Sequence, residues 1–186
     1  MRVSNMDFSN FYINGFPKSG NHALLRGCEL LGIPCQVNHI PYVERQEGKF
    51  IFIKRDPRNV VISRLRGQRR PVTPGTFLTF FRKFESTSLI KELEAYEGWL
   101  EDPKSLIISY EHLITNESTM KKIADYVGVS YLPKAFERLE GLTKTWNKIH
   151  SNYKEIWTQE VEASWQTEGG SELLIRWGYG EPDFSI

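Results

Sequence analysis

Short apolar runs alternate along this chain with longer stretches in which apolar positions return every three or four residues. "FYING" (11–15), "KFIFIK" (49–54) and "SLIISY" (105–110) read as strands, and "PCQVNHI" (34–40) as a shorter one. KFIFIK is apolar enough to be buried on both faces of a parallel sheet. Between the strands the period changes. "NHALLRGCELLG" (21–32) predicts a helix packed through Ala23, Leu24, Gly27, Leu30 and Leu31 and ended by Gly32. Asp56 and Pro57 supply an N-cap and a first-turn proline for a helix through "RNVVISRLRG" (58–67). "TFLTFFRKF" (76–84) and "SLIKELEAYEGWL" (88–100) follow as helices. "NESTMKKIADYVG" (116–128), "LPKAFERLE" (132–140) and the segment around "ELLIRWG" (172–178) are the last helical stretches.

This alternation predicts an α/β chain of three layers, a central parallel sheet flanked by helices, as a single domain over residues 1–186. There is no internal repeat or long linker. "GQRRPVTPG" (67–75) is a Gly/Pro/Arg-rich loop and a candidate mobile lid.

Composition narrows the function classes. The 40% hydrophobic and 25% charged content is that of a globular protein. No apolar run approaches the roughly 20 residues of a membrane span. "MRVSNMDFSN" lacks the basic start and apolar centre of a signal peptide, so a cytoplasmic location is expected. Cys28 and Cys35 fit neither a disulfide framework nor a four-ligand zinc site and read as small buried side chains. The four histidines include no H-E-x-x-H, and no metal site is expected.

The net charge of +1 conceals a gradient. Seven Lys or Arg and one acid lie between Lys54 and Arg70, whereas seven acids and one base lie from Glu155 onward. That distribution argues against nucleic acid and for a local anion site.

The candidate chemistry lies in "INGFPKSGNH" (13–22). Gly15 and Gly20 let the backbone bend and approach a ligand, Lys18 adds a charge, and the following helix start offers N–H groups to an anion. The common nucleotide loop places Lys after its last glycine; here Lys18 precedes Gly20. In "KRDPRNVVIS", Arg55 ends a strand and Ser63 follows eight residues on, forming a second anion subsite. Ligands in such sheets sit at the carboxyl ends of strands. That rule gathers residues 15–20, His39, Arg55, Tyr110 and Glu111 along one edge.

Together these residues resemble the PAPS-dependent sulfotransferases, whose donor is 3′-phosphoadenosine 5′-phosphosulfate (PAPS) and whose fold is of the P-loop type. Pro17-Lys18-Ser19-Gly20 match the family's Pro-Lys-Ser-Gly, with Asn21-His22-Ala23 in place of the usual Thr-Thr-Trp. The resemblance implies that this loop holds the 5′-phosphosulfate, with Lys18 on the bridging oxygen and Asn21 and His22 beside it. Arg55 and Ser63 have the spacing of the family's 3′-phosphate pair. His39-Ile40-Pro41 resembles the His-Leu-Pro segment whose histidine is the general base. "SLIISYEHL" (105–113) is similar to the strand ending Tyr-Glu-Asp-Leu, and "LLIRWGYGE" (173–181) to the Leu-Gly-Tyr ending.

The chain also departs from the family. Ala23 stands where many members stack a Trp on adenine. "WNKIHSNYKEIW" (146–157) offers Trp146, Lys148, His150 and Lys154 without the family's Arg-Lys-Gly arrangement.

The resemblance implies transfer of a sulfuryl group from PAPS, leaving PAP, to a hydroxyl or amine on a small-molecule, glycan or peptide acceptor. Lys18 and His39 would be the catalytic residues, and no metal is required. Glu111 reads as a capping or salt-bridging carboxylate. Phe77, Phe80 and Phe81 read as core, with an acceptor pocket as the alternative. The short chain implies an acceptor site that is open or completed by a second copy in a homodimer. Two other classes remain: a silent PAP- or anion-binding adaptor, and a P-loop nucleotide kinase. The kinase would want Lys-Ser/Thr directly after the glycine and a strand-ending Asp for Mg²⁺.

Overall fold

The computed structural model describes residues 11–44, 47–84, 86–147 and 152–180, with the backbone alone for 143–147. Four strands form one sheet: β1 (Phe11–Asn14), β2 (Gln36–Asn38), β3 (Lys49–Lys54) and β4 (Ser105–Ser109). Their order is β2-β1-β3-β4, and every neighbouring pair is parallel.

Strand β3 shows why the fold is layered. Side chains alternate across a sheet. Phe50 and Phe52 therefore enter one core with Trp99, Trp165 and Trp177, while Ile51 and Ile53 enter the other with Ile13, Leu24, Cys28 and Met120. All of these are nearly inaccessible, which is why β3 is an unbroken apolar run.

The second core is covered by α1 (Asn21–Leu30), α6 (Tyr110–Thr115), α7 (Glu117–Val127) and α8 (Pro133–Asn147). The first is covered by α2 (Pro57–Gly67), α3 (Pro74–Arg82), α4 (Leu89–Glu94), α5 (Gly98–Glu101), α9 (Gln159–Thr167) and α10 (Gly170–Arg176), with a 3₁₀ turn at Tyr153–Ile156. The fold is thus the expected three-layer α/β arrangement. Among the described residues, no helix is long and apolar enough to cross a membrane.

Three local readings change. The helix expected over 88–100 is two short ones, because Gly98 packs so closely on the Tyr42 ring that a Cβ would strike it. Tyr42 N–H also donates to Ala95 at the break (2.7 Å). The strand expected to include Tyr110 stops at Ser109, whose hydroxyl caps α6 by accepting from His112 N–H (3.2 Å). Helix α9 and the 3₁₀ turn were not apparent in the sequence.

Phe77, Phe80 and Phe81 are core residues. Phe81 stacks on Trp165 at 4.5 Å, and Phe77 meets Trp157 edge-on at 5.5 Å. The 67–75 loop carries its own hydrogen bonds: Arg70 N–H to Leu65 O (2.9 Å), and a reciprocal Thr73–Thr76 capping box that opens α3.

The order β2-β1-β3 reverses direction at β1. The crevice outside the carboxyl ends of β1 and β3 is therefore where a ligand fits. The loop after β1 and Arg55 after β3 meet there.

Candidate active site

The loop after β1 is shaped by its glycines and by one strained lysine. A Cβ on Gly15 would lie 2.6 Å from Ile53 O and 2.8 Å from Asn21 Oδ1, and one on Gly20 would enter the Tyr110 ring. Gly20 also has φ 103°, and Lys18, without glycine's freedom, has φ 73°. Ser19 N–H donates to Phe16 O (3.1 Å), and the Asn21 side-chain amide closes the turn by donating to Phe16 O (3.1 Å). Asn21 is thus a staple of the loop; its amide nitrogen points into the turn rather than outward. No side chain caps the start of α1, so the first-turn N–H groups of that helix form an anion-accepting end.

The exposed Lys18 side chain reaches Gly67, at the end of α2, where its Nζ lies 3.1 Å from an added Cβ position. A left-handed backbone costs an L residue about 1–2 kcal/mol. Lys18→Gly is therefore expected to melt about 2–4 °C above Lys18→Ala, since both lose the charge but only glycine relieves the strain. Thermal melts that coincide would show that the loop holds no such strain.

Arg55 leaves the end of β3 and is 5% exposed. One terminal nitrogen donates to Lys18 O (3.2 Å), and the guanidinium lies 4.4 Å from the Tyr110 ring centre. Its Nε is buried without a protein partner. Burial draws the guanidinium below its ordinary pKa, opposed by Tyr110 and Glu111.

Glu111 lies behind this arginine as a brace. It accepts from Asp56 N–H (3.2 Å) and from Tyr179 O–H (2.9 Å), tying the starts of α2 and α6 to the tail. Burial and then Glu111 push the Tyr179 phenol far up, so it stays a donor. Lys54 caps the same tail by donating to Trp177 O.

His39 stands on the loop after β2. Its Nδ1 is 2.8 Å from Gly15 O. A carbonyl only accepts, so Nδ1 carries the proton and Nε2 is left as an acceptor. Behind the ring, Asn14 bonds Ile40 on both backbone groups (2.9 and 3.0 Å). Tyr96 O–H reaches His39 O (3.0 Å) and Trp99 Nε1–H reaches Ile40 O (3.0 Å). The buried Asn14 is a site-building residue that sequence reasoning missed, because its partner is 26 residues away.

A cavity of about 410 Å³ opens among these elements. It brings together Pro17, Lys18, Gly20, Asn21, His22, His39, Arg55 and Ser63, and adds Ala23, Arg64 and Tyr110. Ser19 is not among the lining residues; it is fully buried, with an Oγ that has no protein partner. Arg64 follows Ser63 on α2, and the basic run held it without singling it out. Lys154 is in the 3₁₀ turn and does not line the cavity. Lys148, His150 and Glu181 lie outside the described residues, as does the Trp146 side chain.

A family model for the sulfotransferase domain matches residues 35–172, a span holding His39, Arg55 and Ser63 but not the 15–20 loop. No curated protein sequence matches the chain. Among solved structures, a mouse sulfotransferase complexed with PAP is similar at TM-score 0.70 and 17% identity, over 91% of this chain and 86% of that one. Retinol dehydratase in complex with androsterone and the inactive cofactor PAP is similar at TM-score 0.67 and 10% identity, over 97% of this chain and 84% of that one. Retinol dehydratase with retinol and PAP gives TM-score 0.60 at 11% identity, over 97% and 83% of the two chains. At such identities the likeness is one of fold.

Proposed function

From its place in the sulfotransferase domain family, to which this chain belongs, we propose that it moves a sulfuryl group from PAPS to a hydroxyl or amine acceptor. We read the whole chain as one such unit, since a single sheet carries both cores.

The observation that supports this reading most is the pairing of two cationic subsites in one cavity, Lys18 with the start of α1 and Arg55 with Ser63. PAPS carries anionic groups at two separate ends, which two such subsites would serve. Arg55 has a buried Nε without a protein partner, and α1 begins without a side-chain cap. In this reading the loop and Lys18 hold the 5′-phosphosulfate, with His22 beside them, and Arg55 and Ser63 hold the 3′-phosphate. Ala23 supplies no ring for the adenine, and the Tyr110 ring at the cavity wall is already packed against Gly20 and the Arg55 guanidinium.

Bound PAPS supplies the sulfuryl group and a phosphate leaving group. His39 accepts the acceptor's proton on Nε2 while its Nδ1–H stays on Gly15 O. Lys18 and the α1 N–H groups neutralise charge on the phosphate side. Glu111 is assigned no proton transfer: it is not among the residues lining the cavity, and it braces Asp56 and Tyr179 instead.

Thermal melts and calorimetry test the reading. PAP is expected to raise the melting temperature without divalent metal, by mass action on the native state. Arg55→Ala should weaken PAP by roughly 10–150-fold, corresponding to a lost charge-assisted contact of about 1.5–3 kcal/mol, and adenosine 5′-phosphosulfate much less. Equal weakening of both would remove Arg55 from the 3′-phosphate. A shift with Mg-ATP and none with PAP would favour a kinase instead. Tight PAP binding without turnover on any acceptor would favour the silent adaptor, a reading encouraged by Ala23.

A further inference from the structure

Beside the donor cavity lies a second depression of about 510 Å³ between α2 and α3. Arg64 belongs to the walls of both. Lys18 reaches Gly67 at the rim, one residue before Gln68, which lines the groove. Arg70 and Lys83 complete a set of three cations, and no acidic side chain is among the described lining residues. Among the described residues, Glu168 pairs with Arg82 (2.7 Å) and Glu155 with Arg66 (3.7 Å).

The space beneath the loop is closed by contrast. Phe16 is buried against Phe84 (5.4 Å) and Tyr96 (5.3 Å), so aromatic rings fill that space.

We propose that this groove is the acceptor subsite and that it selects acceptors bearing an anionic group of their own, a carboxylate, sulfate or phosphate. The assignment rests on the sulfuryl-transfer reading above. An acceptor hydroxyl presented to Lys18 and His39 leaves the rest of its molecule to run past Gly67 into the groove. There Arg70 and Lys83 meet the second charge, Gln68 and Thr79 offer neutral hydrogen bonds, and the largely buried Phe80 and Phe84 complete the lining. Guanidinium and ammonium groups attract an anion at an open surface and reward a neutral molecule little.

Calorimetry on PAP-saturated protein at low salt tests this with two matched pairs, glucose 6-sulfate against glucose and heparin against dextran. The sulfated member of at least one pair is expected to bind, with affinity that falls as salt rises, and the neutral members not to bind. Binding of glucose 6-sulfate points to a small acceptor, and binding of heparin alone to an extended one. The exposed pair Arg70→Glu/Lys83→Glu should weaken the sulfated probe at least about tenfold and leave the PAP-induced melting shift unchanged. Arg70→Gln/Lys83→Gln should fall between, and it serves if charge reversal impairs folding.

The proposal is overturned if neutral and sulfated probes bind alike, if no sulfated probe binds, or if the double variants bind it as wild type does. Absence of a PAP shift defeats the donor reading instead. The variant comparison on unloaded protein then still reports on the groove.

Discussion

Replacing His39 with alanine lowers the single-turnover rate by about 10²–10⁴-fold, the usual worth of a positioned proton-transfer group, and leaves PAP affinity as it was. The ring is exposed and holds nothing of the core, so the loss does not come through unfolding. Its surroundings make the test sharper. Nδ1 rests on Gly15 O, and the His39–Ile40 backbone is fixed independently by Asn14, Tyr96 and Trp99. His39→Asn places an amide N–H near the Nδ1 position, keeps the contact with Gly15, and has no basic nitrogen in place of Nε2. If His39 is the base, the asparagine variant is as slow as alanine. If it only shapes the loop, asparagine recovers most of the rate. Single-turnover measurement is needed because product release otherwise hides the chemical step. Near wild-type rates in both variants would move the role to His22, whose imidazole lines the same cavity.

How far the sequence led can be followed residue by residue. The bounds of β3 were legible because both of its faces are buried and every inner residue had to be apolar. The start of α2 was legible because Asp56-Pro57 is a local signal, and Asp56 does accept from Arg58 N–H (2.9 Å). The break between α4 and α5 was not, since it arises where Gly98 meets Tyr42, a contact made only in the folded chain.

The site divides the same way. Lys18 with Gly20 and Arg55 with Ser63 are two closely spaced pairs in the sequence, and the sheet brings them to one cavity. Asn14 looks like one more strand residue until Ile40 is seen across from it. Asn21, expected to offer a polar side chain to the ligand, spends its amide nitrogen on Phe16 O, which also accepts from Ser19 N–H in the tight turn. The basic run over 54–70 read as one field. Folding divides it: Lys54 and Arg55 border Glu111, Arg58 is paired inside with Asp56, and Arg64 and Arg70 line the second groove.

Asp56→Ala is expected to destabilise the protein by about 3–5 kcal/mol, the largest loss of stability among the changes considered. Asp56 caps α2 and at the same time pairs with Arg58 through Nε (3.0 Å) and a terminal nitrogen (2.7 Å). Both side chains are almost wholly buried, and the Arg58 guanidinium lies 3.8 Å from the Tyr153 ring centre. Removing the carboxylate leaves a guanidinium without its counter-charge in that setting. Desolvation of one unpaired charge outweighs the cap, which alone is worth about 1 kcal/mol. The melting temperature should fall by roughly 6–20 °C for a chain of this size. Arg58→Met in the same background separates the two contributions, because it removes the stranded charge and fills its volume. The double variant should recover all but about 1–2 kcal/mol, the cap and packing share. Additive losses in the pair would mean that Arg58 is stabilised by Tyr153 and Trp157 without Asp56, and that the ion pair contributes little.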